Sequence, residues 1–301
     1  MNVLSLFDGL SCGQIALTNL GCFPNKYYAS EVDKFAIQQT RHVFPETIHI
    51  GDVTQVDVSK LDKIDLIIGG SPCQSFSFAG KQAGMATTEN IEVTDLDQYL
   101  DLKIMGFEFT GQSYLFWEYM RILTEVRKYN PNVKFLLENV VMSKKWEAVL
   151  TKAIGVEPVM INSNLVSAQN RKRLYWTNIA EITQPEDEGI FIRDILEFDE
   201  DSIIVASRGR TGSDGITRQK LEPRMDGKSN CLTTVQKDNL LAVLKLDGEW
   251  MLRRLTPTEC ARLQTVPDWY EWVVSDTQIY RMCGNGWTVR VIEHILKNLF
   301  A

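Results

Sequence analysis

The chain has only three histidines, and its six cysteines stand singly at positions 12, 22, 73, 231, 260 and 283. No two cysteines have the CxxC spacing. The sequence therefore offers no ready zinc site, and no bound metal is expected. Isolated thiols suit a reducing cytoplasm. Long apolar runs are also lacking, since nothing approaches the ~18–20 residues that cross a bilayer. The N-terminus MNVLSLFDG has no basic segment ahead of an apolar one, so no secretory leader and no membrane partner are expected. Positive charge is in deficit, with 32 Lys and Arg against 39 Asp and Glu and a net charge of −7. That balance argues against a protein that coats nucleic acid without specificity. The deficit is local, however. Glu186–Asp201 holds eight acidic residues and one basic, whereas Val205–Lys237 holds seven basic and three acidic. The second stretch can face phosphates and the first cannot.

Short apolar runs alternate with helical patterns through the first half. VLSLF (3–7), YYAS (27–30), IDLIIG (64–69) and KFLLEN (134–139) read as strands, and IALTNLG, KFAIQQTRHVF, YLFWEYMRILTEVRKY and KKWEAVLTKAI as helices. Continuous apolar strands suit a sheet covered on both faces. The alternation predicts an α/β fold with a doubly wound, mostly parallel sheet. PVMINSNL and RLYWTNI add two strand-like runs, and TQPEDEG reads as a linker. From about 183 to 252 the chain turns glycine- and turn-rich, with short β-like runs such as SIIVAS and LLAVLKL. This predicts a main domain over 1–182, completed by 277–301, and a small second domain over 183–276.

Cys73 stands directly after Pro72 in GGSPCQSFS, at the end of the run IDLIIGG, and Glu138 ends the run VKFLLEN. Ligands of open parallel sheets bind at the carboxyl ends of strands. The spacing thus presents a thiol and a carboxylate at neighbouring strand ends. A thiolate there is a nucleophile, and a carboxyl group beside it can handle charge developing on the reactant. Arg171 and Arg173 in QNRKR are candidate electropositive neighbours. SLFDGLSCGQIAL reads as strand, turn and helix start, with Gly9 and Gly13 placed to let backbone approach a ligand. Glu31 follows the second strand, about 20 residues on, where such folds set a carboxylate against ribose hydroxyls. The glycine spacing is not that of a dinucleotide fingerprint.

PCQ, ENV and Q-x-R-x-R occur in that order, each at the end of an expected element. Together with the N-terminal motif they resemble the cytosine-5 DNA methyltransferases of bacterial and phage type, from Leu4 to about Val291. SEVDKFA, ENVV, PVMIN and VSAQNRKRLYW are also similar to the animal de novo enzymes. The resemblance implies a Rossmann-like methyltransferase with a target-recognition domain. It implies transfer of a methyl group from S-adenosyl-L-methionine to C5 of a cytosine flipped out of double-stranded DNA, through a covalent Cys73 intermediate. It assigns catalysis to Cys73, Glu138, Arg171 and Arg173, with Arg171 on the ring carbonyl. Cofactor contacts fall to Phe7, Gly9, Glu31, Val32, Asp52, Pro72, Leu115, Asn285 and Trp287, with Val32 standing where many members carry an aromatic. Gln74, Ser75, Thr233 and Thr234 are implied DNA contacts. A cognate restriction enzyme would be a genetic partner, and the setting would be the nucleoid of a bacterial or phage-infected cell.

Two regions depart from the family pattern. Met85–Gln112 is an acidic insertion in which Thr94 and Asp97 suggest a capping-box start, and Leu96, Leu100, Ile104 and Phe107 a shared helical face. Its acidity should keep it away from phosphates. Before it, Gly80 and Gly84 are candidate hinges of a loop closing over the flipped base. In SRGRTGSDG, Arg208 and Arg210 are expected on a flexible loop as guanine or phosphate readers. Three readings stay open from sequence: an active DNA methyltransferase, the RNA-modifying branch, and a non-catalytic DNA-binding relative. The Cys-Phe-Thr signature of the RNA branch is matched only partly by CLTT at 231–234. A non-catalytic relative would lose the Cys, Glu or cofactor residues that this chain retains.

Overall fold

A computed structural model describes residues 1–74, 76, 85–198, 201–234, 239–245 and 247–300. Ser75, Gly80 and Gly84 lie outside the described residues. The chain forms two compact units, the first Met1–Ile161, Lys172–Ile182 and Ile295–Ala301, the second Asn162–Arg171 and Thr183–His294.

In the first unit the apolar runs become strands β1 (Asn2–Leu6), β2 (Lys26–Ser30), β3 (Ile48–His49), β4 (Leu66–Gly70), β5 (Lys134–Val140), β6 (Val159–Asn162) and β7 (Lys172–Thr177). They form one sheet in the order β3-β2-β1-β4-β5-β7-β6. The five strands from β3 to β5 in that order pair in parallel, and β7 is antiparallel to β5. The order reverses between β1 and β4, which makes their carboxyl ends the switch point where such sheets bind ligands. Helices α1 (Cys12–Asn19), α2 (Lys34–Val43), α3 (Leu96–Ile104), α4 (Phe116–Tyr129) and α5 (Lys144–Ile154) complete the unit.

Alternation along the strands sends Leu4, Leu6, Ile67, Phe135 and Leu137 into one core with Phe116, Trp117, Tyr119 and Ile122 of α4. Each such burial is worth about 1.5–3 kcal/mol. Ile68 points the other way and meets α1. A Cβ on Gly13 would fall 2.1 Å from its Cδ1. Gly13 thus lets α1 pack closely on the sheet.

The insertion forms α3, with Asp95 as N-cap accepting from the Gln98 N–H at 2.8 Å. Gln98 Oε1 in turn accepts from the Thr94 N–H at 2.9 Å. The capping pair is therefore one residue later than Thr94/Asp97. Of the expected Leu96–Leu100–Ile104–Phe107 face, Leu96, Leu100 and Phe107 pack partly buried against the core, whereas Ile104 is 83% exposed and Tyr99 and Leu102 are the buried residues of the helix. A polar contact accompanies the burial of Tyr99. The Tyr99 hydroxyl donates at 2.5 Å to Glu118 of α4, which is fully buried. Lys103 and Arg121 also bind Glu118, at 2.5 and 2.7 Å.

The second unit holds a four-stranded antiparallel sheet of β8 (Ser202–Thr211), β9 (Thr217–Pro223), β10 (Leu240–Leu244) and β11 (Trp250–Arg254), in the order β11-β10-β8-β9. Helices α6 (Pro257–Leu263), α7 (Asp276–Asn285) and α8 (Val289–Leu296) follow. Thr256 and Glu259 make a capping box at α6. Arg208 and Arg210 lie in β8, paired with β9, and not in the flexible loop that their Gly/Ser-rich surroundings suggested. Among the described residues no helix is long and apolar enough to cross a membrane.

Candidate active site

In the first unit, candidate residues from distant parts of the sequence gather at the carboxyl edge of the parallel strands. Phe7–Gly9 follow β1, Glu31 follows β2, Asp52 follows β3 and Pro72–Cys73 follow β4, while Glu138 lies near the end of β5. Gly70 is the register partner of Glu138, which puts Cys73 three residues beyond a position directly beside the carboxylate. Cys73 is half-buried and Glu138 is buried. Across the next pair of strands Val140 faces Arg173. The Arg173 guanidinium reaches back to Glu138, Nε to Oε1, at 2.9 Å, with both side chains largely buried.

The turn after β1 is sharply wound. Phe7, Gly9 and Ser11 have φ of 59°, 57° and 63°. Left-handed backbone at two non-glycine residues is uncommon and marks a strained, over-determined turn. Glu31 holds it. The Gly9 N–H donates to Oε2 at 2.8 Å, and the Val32 and Asp33 N–H groups donate to Oε1 at 2.7 and 2.8 Å. A carboxylate offers about four acceptor sites, so Oε2 keeps one for a ligand hydroxyl. Val32 is 69% exposed, an apolar surface beside that carboxylate. Asp52 uses Oδ1 to cap its own turn, accepting from the Thr54 N–H and hydroxyl at 2.8 and 2.9 Å. Leu115 packs at the start of α4, partly buried against the core.

Asp8 sits inside the wound turn. Its Oδ1 accepts from the Tyr27 hydroxyl at 2.9 Å, and its Oδ2 is buried without a hydrogen-bond partner. Burial pushes its carboxyl up to about 6, opposed by the hydroxyls of Ser5, Tyr27 and Ser11 and reinforced by the nearby charge of Glu31.

Asn139 was not singled out by sequence. It is 1% exposed, and its Nδ2 donates to the Ser71 carbonyl at 3.2 Å and to Ser71 Oγ at 3.0 Å. The end of β5 thus fixes the Ser71–Pro72–Cys73 segment after β4. A polar residue inside an apolar strand was the available signal, because such a group must find a partner.

The remaining candidates belong to the second unit. Arg171 is 3% exposed, and its Nη atoms donate to Cys231 Sγ at 3.2 Å and to the carbonyls of Leu232, Gly284 and Gly286 at 3.0, 3.4 and 2.7 Å. Three of these contacts are to backbone and one to a thiol, so the Nη groups brace two loops, while Nε is buried without a hydrogen-bond partner; Arg173 is the arginine on Glu138. Gln169 works beside it, donating to the Leu263 carbonyl at 2.7 Å and accepting from the Leu232 N–H at 2.9 Å. Gly284 lies so close to the 233–234 backbone that a Cβ would fall 2.6 Å from the Thr233 carbonyl. Thr233, Thr234 and Asn285 are exposed, and Trp287 is half-buried. In the first unit Gln74 is exposed. Among the described residues no cluster could hold a metal ion.

The family described as C-5 cytosine-specific DNA methylase matches residues 1–100 and 197–301. The type II methyltransferase M.NlaX of Neisseria lactamica is 30% identical over 99% of this chain and 96% of its own. The chain belongs to the C-5 cytosine-specific DNA methylase family. Membership makes it a methyltransferase, an enzyme that requires a methyl donor. The type II methyltransferase M1.ScrFI of Lactococcus lactis subsp. cremoris is also 30% identical, over 90% of this chain and 71% of its own. Among solved structures, a mutant of Spodoptera frugiperda DNMT2 superposes with a TM-score of 0.64 over 100% of this chain and 99% of its own, at 18% identity. At that identity the likeness establishes the Rossmann-like methylase fold and nothing finer.

Proposed function

We propose that this methylase transfers a methyl group from S-adenosyl-L-methionine to C5 of a cytosine in double-stranded DNA, with Cys73 as covalent nucleophile. The observation that carries the reading is the registered placement of Cys73 beyond β4 and Glu138 on β5, with Arg173 bound to Glu138. The cofactor fits the residues present. Glu31 retains acceptor capacity for a ribose hydroxyl, the wound Phe7–Ser11 turn gives close backbone approach, and exposed Val32 offers an apolar surface to a flat base. When bound, that cofactor supplies an electrophilic methyl group.

The target base is first flipped out of the stack, at a cost of a few kcal/mol. Cys73 Sγ, as thiolate, adds to C6 and forms a C–S bond, which makes C5 nucleophilic. The negative charge that the thiolate carries onto the ring is met by a proton delivered to N3 through Glu138, whose other oxygen accepts from the exocyclic amine, and Arg173 keeps that carboxyl in place. After C5 has gained the methyl group it loses its proton to water, the freed electron pair restores the C5–C6 double bond, the C–S bond breaks with Cys73 leaving as thiolate, and N3 returns its proton through Glu138. Pro72 and Asn139 orient the thiol segment. Asp52, Leu115, Asn285 and Trp287 keep the cofactor roles that family membership suggests, and Gln74, Ser75, Thr233 and Thr234 the DNA roles. Arg171 serves as a positioning residue for its two loops. The functional division proposed is 1–182 with 277–301 for catalysis and 183–276 for recognition. The proposed setting is the nucleoid of a bacterial or phage-infected cell, with a cognate restriction enzyme as genetic partner.

Trapping on a duplex containing 5-fluorocytosine tests the reading. The unaltered chain should form a covalent adduct when S-adenosyl-L-methionine is present, and Cys73→Ala should form none while binding the cofactor with unchanged affinity. An adduct on the alanine variant would remove Cys73 from the chemistry.

A further inference from the structure

Beyond Ala206 the β8–β9 hairpin leaves the buried part of its sheet. All residues of both strands from Arg208 to Leu221 are exposed. The register pairs Arg208 with Lys220 and Arg210 with Arg218. Side chains of a strand alternate between faces, so these four cations share one face. The opposite face carries Ser207, Gly209, Thr211, Thr217, Gln219 and Leu221, with no charge. Two facing rungs of like charge are destabilising in a sheet. Folding does not call for them, and a local rule broken in this way points to function.

The other basic residues of this stretch are occupied elsewhere. Lys228 is 8% exposed and donates to the carbonyls of Asn164 and Ser167 at 2.8 and 3.2 Å. Arg224 pairs with Asp226. Lys237 lies outside the described residues. Among the described residues of the stretch, the accessible positive charge is therefore concentrated on one ribbon face.

Two acidic residues meet that face. Asp214 holds Arg218 at 2.7 Å. Glu222, one rung below Arg208, grips Arg210 through a fork, Nε to Oε1 at 2.5 Å and Nη2 to Oε2 at 2.8 Å, and stands 4.0 Å from Arg208. The fork consumes one edge of the Arg210 guanidinium. Its remaining edge, Nη1 with the second hydrogen of Nη2, keeps the paired donors that match O6 and N7 of guanine. A two-stranded ribbon also fits the major groove, which is about 12 Å wide and about 8.5 Å deep. The five residues from Ser207 to Thr211 span roughly 17 Å at the usual strand rise, enough to reach its floor.

We propose that the β8–β9 ribbon enters the major groove of duplex DNA, where Arg210, held by Glu222, reads a guanine and Arg208, Arg218 and Lys220 hold phosphates. This rests on the proposed function for its substrate, but binding alone can test it. The full chain is titrated by fluorescence anisotropy, at several salt concentrations, with a duplex oligonucleotide carrying the motif that the unaltered protein methylates in host DNA. If no host methylation is found, a pool of random-sequence duplexes replaces that oligonucleotide and selected binders report the motif.

Arg218→Ala and Lys220→Ala should weaken binding on all sequences and shrink the salt slope by about one each, with the motif kept. Arg210→Ala should relax one base position by roughly 5- to 150-fold. Glu222→Gln should relax that same position and leave cofactor affinity unchanged, which a merely structural role would not produce. Arg210→Lys, which keeps the charge and loses the fork, should hold the salt slope and lose the motif position. The ribbon assignment is overturned if the unaltered chain does not bind duplex DNA. It is equally overturned if these variants leave motif and salt slope unchanged, or if Glu222→Gln relaxes a different position from Arg210→Ala. Absence of methylation with normal DNA binding would instead sink the proposed function and leave the ribbon standing.

Discussion

Replacing Asp8 by asparagine should change how stability depends on pH. The carboxyl is raised from 3.8 to about 6, chiefly by burial. Below pH 3.8 it is protonated in both the folded and the unfolded chain, so its charge contributes nothing. Between that pH and about 6 the unfolded chain ionises and the folded chain resists, so the unfolded state gains. A group whose folded value is raised therefore loses stability as pH climbs through the window. At 1.36 kcal/mol per pH unit the full loss is about 3 kcal/mol. Asparagine keeps an oxygen for the Tyr27 hydroxyl and never ionises. The variant should thus gain on the unaltered chain by about 1 kcal/mol at pH 4.5 and about 3 kcal/mol at pH 7.5, with a plateau above. Any fixed offset from the amide itself shifts both values equally. Urea unfolding of both chains at half-unit pH steps reads the difference directly. A gap that stays flat from pH 4.5 to 7.5 would show that Asp8 is ionised at no cost in the fold, and the buried, unpartnered Oδ2 would need another account.

Gly284→Ala should force the Thr233–Thr234 backbone to shift, because a Cβ would sit 2.6 Å from it. We expect a loss of about 1–3 kcal/mol in urea unfolding together with a weaker preference for the methylated motif. Asn139→Ala should slow methyl transfer while cofactor affinity, measured by calorimetry, holds, since it cuts the Ser71 tether and a local bond from the Val140 N–H; an unchanged rate would make the tether incidental. Glu118→Ala leaves Tyr99, Lys103 and Arg121 without their shared acceptor and should cost about 3 kcal/mol in the same unfolding assay. Glu118→Gln should cost less, because it still accepts from Tyr99.

The sheet was legible because its central strands are apolar on both faces, and one of them, in IDLIIGG, ends at glycines. For the same reason the thiol, the carboxylate and the first turn could be placed at strand ends from sequence. What stayed hidden was polar. The β8–β9 ribbon buries neither face over its outer half, so no apolar alternation marks it, and Gly and Ser made it read as a loop. The burial of Tyr99 on α3 goes with its hydroxyl's bond to Glu118, which a tally of apolar positions does not see. Arg171 and Arg173, two residues apart in one motif, look equivalent in sequence. They differ because Arg173 lies on β7 opposite Val140 while Arg171 precedes the strand and meets carbonyls. Two-residue β3 is too short to leave a periodic trace.

The carboxylate at Glu118 also constrains descent. It lies fully buried, and two of its three partners, Tyr99 and Lys103, come from the 85–112 insertion. A lineage that deleted the insertion in one step would strand most of a buried charge. The viable route runs through an earlier exchange of Glu118 for an apolar residue, after which the segment becomes dispensable. Relatives without the segment should therefore carry something other than glutamate at this point of the helix, whatever DNA sequence they modify.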